Sequence, residues 1–432
     1  MLGFGIGLGL PIAAASNSAP AQAVKQTIFD HDTVTISGTN EAGTKLSLGV
    51  VFFSTTKGQV RAVSFWKTAA DIATSRDVGI YNTSGTLVAE GTSSGEAAGP
   101  GWVSVTLDAP LTIEAMTTLV ASVHFPEGAY GAVAGALTNV IRRGQLVAES
   151  NAGGGGNGRY NYGPALAYPA TTGSGTSFGI DVDFYAGSFP TAGTTGIPAG
   201  TVLTPMSGTV SLWSGGATLL EDKDISGHIL VQAQNVVIRR CRITNTDPGV
   251  AGVIRIDTGE SDGAGLIIED CEIDGTGVTV NGIAGQGTFL RNKITRVDNG
   301  INLYGPATIK DNYIRVAEGT VDAHFDGIEN NGASDVVIKH NTIITDNVQT
   351  ASVMLNNQFN GLANIDVIDN YLSGGAYTIY VDNTKSASPV DNATIRIWYN
   401  KMGEGDFGYF SLYTSGVTPL YNYDAVTGSP VP

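Results

Sequence analysis

The segment VVIKHNTI, residues 336–343, decides the fold of this chain, because close variants of it recur along the C-terminal half. Each variant alternates apolar with other residues, places a Cys or Asn at the same position, and then resumes the alternation. Repeats of 20 to 30 residues with short alternating strands and no helical pattern predict a parallel β-solenoid. The repeated Cys and Asn positions are Cys241, Cys271, Asn292, Asn312, Asn341, Asn370 and Asn400.

This repeated position has a structural explanation that needs no ligand. Asn side chains at the same turn of successive coils can hydrogen-bond to one another along the stack. We therefore predict that the seven residues form a structural ladder. Cys241 and Cys271 begin the column, in coils ~4.8 Å apart. Because parallel Cβ directions suit a disulfide poorly, two buried free thiols are favoured over a disulfide.

Composition limits the class of protein. The 432 residues include 58 glycines, with 42% hydrophobic and 14% charged residues, which argues against disorder and allows two or three domains. The net charge of −16 disfavours a nucleic-acid partner. Two cysteines exclude a disulfide framework and a cysteine-based zinc module. No run of 18 apolar residues is present, so the sequence predicts no membrane span.

The predicted fold class is all-β, in five segments. Short runs rich in Val, Phe, Tyr and Thr, separated by Gly, Asn and Ser, predict a β-sandwich of jelly-roll or immunoglobulin-like type. Pro, Gly and Thr dominate the linker that follows it. The segments are an N-terminal arm (1–23), the sandwich (24–187), the linker (188–208), the β-solenoid (209–415) and a C-terminal tail (416–432).

Residues 1–23, MLGFGIGLGLPIAAASNSAPAQA, allow two interpretations. An apolar run followed by small residues is typical of a secretory signal, but no Lys or Arg precedes Lys25. Glycine instead alternates with apolar residues over positions 2–10, which suits an extended strand. We favour an uncleaved docking arm, and this opening resembles the starts of some phage fibre and spike proteins.

Three motifs in the sandwich carry a resemblance to a known module. They are VRAVSFWK at 60–67, GWVSVTLDAPLTI at 101–113 and GNGRYNYG at 156–163. This part of the chain resembles a bacterial β-sandwich module of unassigned activity that recurs in secreted and cell-surface proteins. It would either bind glycan or protein through exposed aromatic residues or act as a spacer whose aromatic residues form its core.

The C-terminal half resembles the right-handed parallel β-helix proteins of the pectate-lyase-like superfamily. Within them it is similar to a group of actinobacterial and phage proteins without established chemistry. The resemblance implies a right-handed helix but no activity, because the fold hosts lyases, hydrolases and inert spikes. It rests on TGIPAGTVLTP (195–205), LLEDKDI (219–225), LIIEDCEIDG (266–275), HFDGIENNG (324–332), VVIKHNTI and GGAYTIYVDN (374–383).

The register of a second recurring strand locates a candidate binding face. With Ile254, Ile301 and Ile379 inward, alternation directs polar and aromatic residues outward in parallel rows. Such rows suit a sugar chain, although an ordinary solvated sheet would be polar too. The predicted substrate-binding residues are Tyr304, Asn331, Asn356, Tyr380 and Asp382.

Catalysis on this face would need closely spaced carboxyl groups. Glu329 and Asp382 are two coils apart, roughly 11–12 Å, too far for a glycosidase pair. The predicted catalytic set is His324, Asp326 and Glu329, joined by Asp322 in the turn VDAHFDGIEN, although His324 and Asp326 would also suit a tight turn. We predict no cofactor or metal. The acidic run DTGESDG gives a weak Ca²⁺ signal through Asp257, Glu260 and Asp262.

These observations favour a phage virion surface spike, either a tail or a head fibre. Residues 1–23 would dock into capsid or tail proteins, and the β-helix would bind host-surface polysaccharide as part of a homo-oligomer. One alternative is a secreted polysaccharide lyase or glycoside hydrolase, located outside the cell. Another is a purely structural spike without a ligand.

Overall fold

A computed structural model describes residues 24–40, 43–153, 155–216, 218–320, 324–413 and 416–432. These residues form a β-sandwich followed by a parallel β-helix, which confirms the predicted all-β fold class. The predicted docking arm, residues 1–23, lies outside the described residues. Among the described residues, no helix has the length and hydrophobicity needed to span a membrane.

The sandwich contains two main antiparallel sheets. One sheet has the strand order β1-β14-β4-β7, and the other has the order β10-β11-β3-β8-β5-β6 with β12 and β13 joined to it through β3. The strands are β1 (Lys25–Gln26), β2 (Gly38–Asn40), β3 (Leu46–Ser54), β4 (Gly58–Lys67), β5 (Asp77–Asn82), β6 (Leu87–Thr92), β7 (Gly101–Ile113), β8 (Leu119–Phe125), β9 (Ala129–Gly131), β10 (Ile141–Arg143), β11 (Leu146–Ala148), β12 (Arg159–Tyr162), β13 (Thr171–Thr172) and β14 (Ile180–Ala186).

Aromatic and β-branched side chains fill the space between these sheets. Every residue of β3 and of β8 is buried, and the rings of Phe65 and Phe125 pack edge to face at 5.7 Å. The Arg76 guanidinium lies over both rings and pairs with Asp71 and Glu96. Most of the sandwich aromatics therefore belong to its core.

The β-helix stacks its strands in parallel, with each coil hydrogen-bonded to the next. A single 3₁₀ turn, Asn392–Thr394, interrupts the strands among the described residues. The strands are β15 (Thr204–Trp213), β16 (Leu219–Glu221), β17 (Lys223–Gln232), β18 (Val237–Arg239), β19 (Arg242–Thr244), β20 (Gly252–Ile256), β21 (Ile267–Glu269), β22 (Glu272–Leu290), β23 (Lys293–Lys310), β24 (Tyr313–Val316), β25 (Ile328–Asn330), β26 (Val336–Lys339), β27 (Thr342–Thr345), β28 (Val353–Asn356), β29 (Ile365–Ile368), β30 (Tyr371–Gly374), β31 (Ile379–Asp382), β32 (Ile395–Trp398), β33 (Lys401–Gly403), β34 (Phe410–Tyr413) and β35 (Tyr423–Asp424).

The pairings define three faces of the β-helix. The first face runs through β18, β21, β26, β29 and β32, and the second through β19, β24, β27, β30 and β33. The third face runs through β20, β25, β28, β31 and β34. The long strands β22 and β23 contribute to all three.

Columns of apolar residues in register form the core of the β-helix. On the second face one column is paired residue by residue and is almost completely buried. Burying one such side chain contributes ~1.5–3 kcal/mol, so no coil is stable without its neighbours. The column is Ile225, Ile243, Ile273, Ile294, Ile314, Ile343, Leu372 and Met402.

The predicted ladder residues lie at the turn between the first and second faces. The Oδ1 atom of Asn341 accepts the backbone N–H of Asn312 at 2.9 Å, and its Nδ2 donates to the Ile309 carbonyl at 2.9 Å. Asn370 accepts the backbone N–H of Asn341 in the same way. Cys271 joins the same ladder as a donor, since its backbone N–H donates to Asn292 Oδ1 at 3.0 Å. Both cysteines are buried free thiols.

The residue before each ladder position has a left-handed backbone, which turns the chain between the two faces. Non-glycine residues tolerate this conformation at a cost of ~1–2 kcal/mol, and the ladder hydrogen bonds offset that cost. The φ angles lie between 51° and 59° at Arg240, Asp270, Arg291, Asp311, His340, Asp369, Tyr399 and Tyr421.

The β-helix extends beyond both predicted boundaries. β15 begins at Thr204, inside the predicted linker 188–208, and pairs in parallel with β17. The predicted tail 416–432 continues the stack, because Asn422 accepts the Asn400 N–H at 2.9 Å as one more ladder residue. The linker also packs on the β-helix, where the Phe189 ring stacks on His340 at 5.4 Å.

A charged interface joins the sandwich to the β-helix. Lys57 of the sandwich donates from Nζ to both carboxylate oxygens of Asp311 at 2.8 Å and from its backbone N–H to Asp369 at 2.8 Å. His340 contacts Asp311 at 2.6 Å, and Glu114 pairs with Lys310 at 2.9 Å. The ladder turns thus supply most of the β-helix side of this interface.

Candidate functional site

The third face carries its side chains in columns, as the alternation of the sequence predicts. Strand pairings place Asn302 beside Glu329, Glu329 beside Met354, and Met354 beside Tyr380. We call this the middle column. In full it is Arg255, Ala284, Asn302, Glu329, Met354, Tyr380 and Ser411.

An outer column lies two residues further along each strand. Asn356 pairs in register with Asp382, and Asn356 Nδ2 donates to Asn331 Oδ1 at 2.5 Å. Asp382 contacts Lys385 at 3.2 Å, and its hydrogen bonds from Thr384 together with Lys385 lower its pKa against the effect of burial. Tyr304 is 48% exposed in this column. The outer column thus collects four of the five predicted substrate-binding residues, and Tyr380 stands beside it in the middle column.

A third column, the corner column, consists of Asn281, Asn299 and Asp326, of which the sequence predicted only Asp326. Asn281 pairs with Asn299, and the N–H of Asp326 donates to Asn299 Oδ1 at 3.3 Å, so these residues stack in successive coils. The alternation of inward and outward side chains fails here, because Gly327 and the next residue, Ile328, both face the core. A Cβ at Gly327 would lie 2.2 Å from Ile343 Cγ2, which only glycine avoids.

Glu329 is the polar centre of the face. Its Oε2 accepts amide hydrogen bonds from Asn299 at 2.9 Å and Asn302 at 2.7 Å, while Oε1 accepts one from Asn331 at 2.8 Å. An ionised carboxylate is the acceptor that suits three such donors. The carboxylate is therefore held in one position between the three columns.

Asp326 lies three residues before Glu329 but is buried and incompletely hydrogen-bonded. Its side chain is 3% exposed, and Oδ1 has no hydrogen-bond partner among the described residues. Burial, followed by the charge of Glu329, raises the pKa of Asp326 well above the usual aspartate value. The preceding residue, Phe325, has a φ of 62° that belongs to none of the repeating turns. A bulky residue rarely adopts this conformation, and such strain is concentrated at functional sites.

The structure brings together two of the three predicted catalytic residues. Asp326 and Glu329 lie on the same face, whereas the His324 side chain is exposed and makes no hydrogen bond to either within the described residues. Thr350 Oγ1 donates to the backbone carbonyl of His324, which anchors the turn. Asp322 lies outside the described residues.

A groove of about 350 Å³ follows the outer side of the columns. Arg255, Asn302, Tyr304 and Asn331 line it together with Phe359, whose side chain is 69% exposed. Sequence reasoning missed Phe359 because it lies in a turn between β28 and β29 rather than on a strand. A backbone hydrogen bond of 2.9 Å from Phe359 to Asn331 places the ring beside the outer column.

Further along the face, a cluster of aromatic rings continues the same surface. Tyr377 and Tyr380 pack edge to face at 5.3 Å, and Tyr377 lies 6.0 Å from the ring of Phe407. Phe407 is 70% exposed and Tyr413 is 60% exposed. The face therefore offers flat apolar surfaces on both sides of its amide and carboxylate groups.

The acidic run at 257–263 is occupied by internal hydrogen bonds. Asp257 accepts from Gln232 Nε2 at 3.0 Å, and Asp262 accepts from Gln234 Nε2 at 2.9 Å. In the part of the chain that the structure describes, no three His, Cys, Asp or Glu side chains are grouped to hold a metal ion. The weak Ca²⁺ site through Asp257, Glu260 and Asp262 stays a prediction.

The sandwich is similar to a known family. Residues 32–180 match a family model described as a domain of unknown function, DUF4082, in agreement with the resemblance to a module of unassigned activity. No curated protein matches the chain.

Among solved structures, one match is the catalytic unit of thermostable GH87 alpha-1,3-glucanase from Streptomyces thermodiastaticus strain HF3-3. The two chains are 12% identical, the match covers 91% of this chain and 84% of that chain, and the TM-score is 0.28. A similarity of this size shows neither the fold nor the function of this chain. The resemblance of the β-helix to an actinobacterial and phage group stays a prediction.

Proposed function

We propose that the third face of the β-helix binds an extended polysaccharide. The observation that carries this proposal is the alignment of amide, carboxylate and aromatic side chains in three columns over successive coils. Amides and carboxylates provide partners for sugar hydroxyls, and the tyrosine rings provide flat surfaces for pyranose rings. Because the coil spacing repeats, a linear polymer can make similar contacts in several coils.

Replacing Tyr380 with alanine tests this proposal. The ring lies two coils from Glu329 in the middle column and packs on Tyr377, so its loss removes apolar contact without removing a buried group of the core. An aromatic contact contributes ~0.5–1.5 kcal/mol, so we expect ~3- to 10-fold weaker binding. Affinity electrophoresis in polysaccharide gels measures the change.

Tyr313→Ala is the matched control, because Tyr313 is a half-buried tyrosine on the second face of the same β-helix. It should bind like the parent protein. If Tyr380→Ala and Tyr304→Ala both bind like the parent as well, the third face is not the binding site.

A second candidate function, hydrolysis of the bound glycan, is favoured by the contrast between Asp326 and Glu329. Neighbouring carboxyl groups whose environments separate their protonation states are the arrangement that glycoside hydrolysis uses. Asp326 would donate its proton to the glycosidic oxygen, and Glu329 would either take a proton from water or attack the anomeric carbon. Binding stands first because Asp326 is 3% exposed, which limits its contact with a polymer.

Asp326→Asn and Glu329→Gln separate the two candidates. If the face hydrolyses its ligand, each variant should lower the release of reducing ends by at least ~100-fold, as expected for the loss of acid or base assistance, while binding persists. The anomeric configuration of the product would report whether Glu329 acts as base or nucleophile. If the parent protein releases no reducing ends from any polymer that it binds, hydrolysis is excluded.

The sequence of residues 1–23 supports a second part of the proposal, that the protein is a spike on a phage virion. We propose that this arm docks the spike into capsid or tail proteins, with a secreted enzyme and a ligand-free spike as the alternatives. Deleting residues 2–20 should give a folded protein that no longer joins the particle. Assembly of the deletion variant, measured by its recovery with purified particles, would contradict the docking role.

A further inference from the structure

The charge of the third face is unevenly distributed. Between β20 and β34 its three columns contain six amide side chains, four acidic residues and one cation, Arg255. The amides are Asn281, Asn299, Asn302, Gln286, Asn331 and Asn356, and the acids are Asp257, Asp326, Glu329 and Asp382. Asp326 is 3% exposed and its pKa is raised by burial, so the negative charge that a polymer would meet near the centre of the face is that of the half-buried Glu329.

Glu329 sets the charge at the centre of the face. The three groups that hydrogen-bond to it are amides, which orient its carboxylate without neutralising it. The backbone of Arg255 lies three coils away, roughly 14 Å at ~4.8 Å per coil, and its side chain lines the same groove without forming an ion pair with Glu329 among the described residues. Lys385, the cation nearest the far end of the face, already pairs with Asp382 at 3.2 Å.

A polyanionic sugar chain needs the opposite arrangement. Carboxylate, sulfate and phosphate groups are bound by Arg or Lys side chains, often as bidentate pairs, and each sugar of a polyuronate would bring one carboxylate to the face. Next to Glu329 that group would meet a like charge in a partly buried site, where screening is weak.

We infer that the third face selects an uncharged polysaccharide, built from neutral hexoses, pentoses or N-acetylated amino sugars, and discriminates against polyuronates and sulfated or phosphorylated chains. This inference rests on the proposed binding function and adds the chemical class of the ligand. It assigns specificity to Glu329 through repulsion and to the amide side chains through hydrogen bonds with hydroxyl groups.

Matched polymers test the inference with the full chain. A panel of neutral glucans, mannans and xylans is measured beside polygalacturonate, alginate and their carboxyl-reduced forms, which keep the linkages and lose the charge. We expect neutral and carboxyl-reduced polymers to bind at least ~10-fold more tightly than their anionic parents. Raising NaCl from about 50 to about 500 mM should change binding of the neutral polymers by less than about twofold.

Glu329→Gln links this selectivity to one side chain. The variant keeps an acceptor for the amides, and the ratio of neutral to anionic binding should fall by at least ~3-fold. Glu90→Gln, which removes an exposed carboxylate from the sandwich, should leave the ratio unchanged.

The possible failures are distinguishable. If an anionic polymer binds as tightly as its carboxyl-reduced form, the inferred ligand class is wrong while the binding function stands. If Glu329→Gln leaves the ratio unchanged, the assignment of selectivity to Glu329 is wrong. If no polymer of either kind binds, the proposed function fails and the inference fails with it.

Discussion

Replacing Asn341 with leucine is expected to lower the free energy of unfolding by ~3–5 kcal/mol, because several buried polar groups lose their partners together. Asn341 Oδ1 accepts from the backbone N–H and the side-chain amide of Asn312, and its Nδ2 donates to Ile309 and Asn370. Leucine is similar in size but can make none of these hydrogen bonds. The four partner groups, two on Asn312 and one each on Ile309 and Asn370, are all buried.

Urea denaturation followed by circular dichroism measures this change. Gln349→Leu is the matched control, because Gln349 is an exposed amide in the turn that follows Asn341 and β27. It should alter the unfolding midpoint little. A loss of less than ~1 kcal/mol for Asn341→Leu would show that the ladder residues are not a main source of stability.

The fold of the C-terminal half could be predicted well from the sequence because its strands repeat. Each repeat presents the same alternation, so Ile314 and Ile343 fall in register when Asn312 and Asn341 are aligned. The ends were harder to predict. The first coil has no preceding coil to repeat, and in the last coil Tyr421–Asn422 repeats the Tyr399–Asn400 pair without an alternating strand ahead of it.

The candidate site was predicted in part, for a related reason. Strict alternation correctly aligns the middle column from Asn302 to Tyr380. It misses Asn299 and Asn281, because Gly327 and its counterparts in neighbouring coils direct one extra position toward the core. Phe359 was missed because a turn carries no period. The positions of Asn281, Asn299 and Phe359 depend on where the chain bends, and the alternation of the strands does not predict those bends.

The interface between the sandwich and the β-helix contains a carboxyl group with an unusual protonation equilibrium. Asp369 follows β29 at a ladder turn, where its Oδ2 accepts from the Lys57 backbone and Oδ1 has no partner among the described residues. Burial is the main cause, and it raises the pKa of Asp369 to about 7 despite the nearby His340 and Lys339. The neighbouring Asp311 behaves oppositely: His340 and Lys57 lower its pKa to about 2 against the effect of burial.

The sign of the effect of Asp369 on stability follows from its raised pKa. Between pH ~4 and 7 the unfolded chain ionises this carboxyl while the folded protein keeps it protonated. The stabilisation contributed by the protonated carboxyl is therefore fully present below pH ~4 and is lost as pH rises through 7. For a pKa shift from 3.8 to about 7, the free energy of unfolding differs by about 4 kcal/mol between these two limits. Asp311, with its lowered pKa, loses its contribution only as pH falls from ~4 toward 2.

Asp369→Asn is accordingly expected to stabilise the protein at pH 8 by ~2–4 kcal/mol and to leave it nearly unchanged at pH 4. Asparagine keeps an acceptor for the Lys57 N–H and tolerates the left-handed backbone, where Asp369 has a φ of 55°. Asp335→Asn is the control, since Asp335 has a φ of 59° at an exposed turn of the same β-helix. Thermal unfolding from pH 4 to 8 gives the comparison. An equal stability gain at both pH values would show that Asp369 is already ionised in the folded protein or that the gain has another cause.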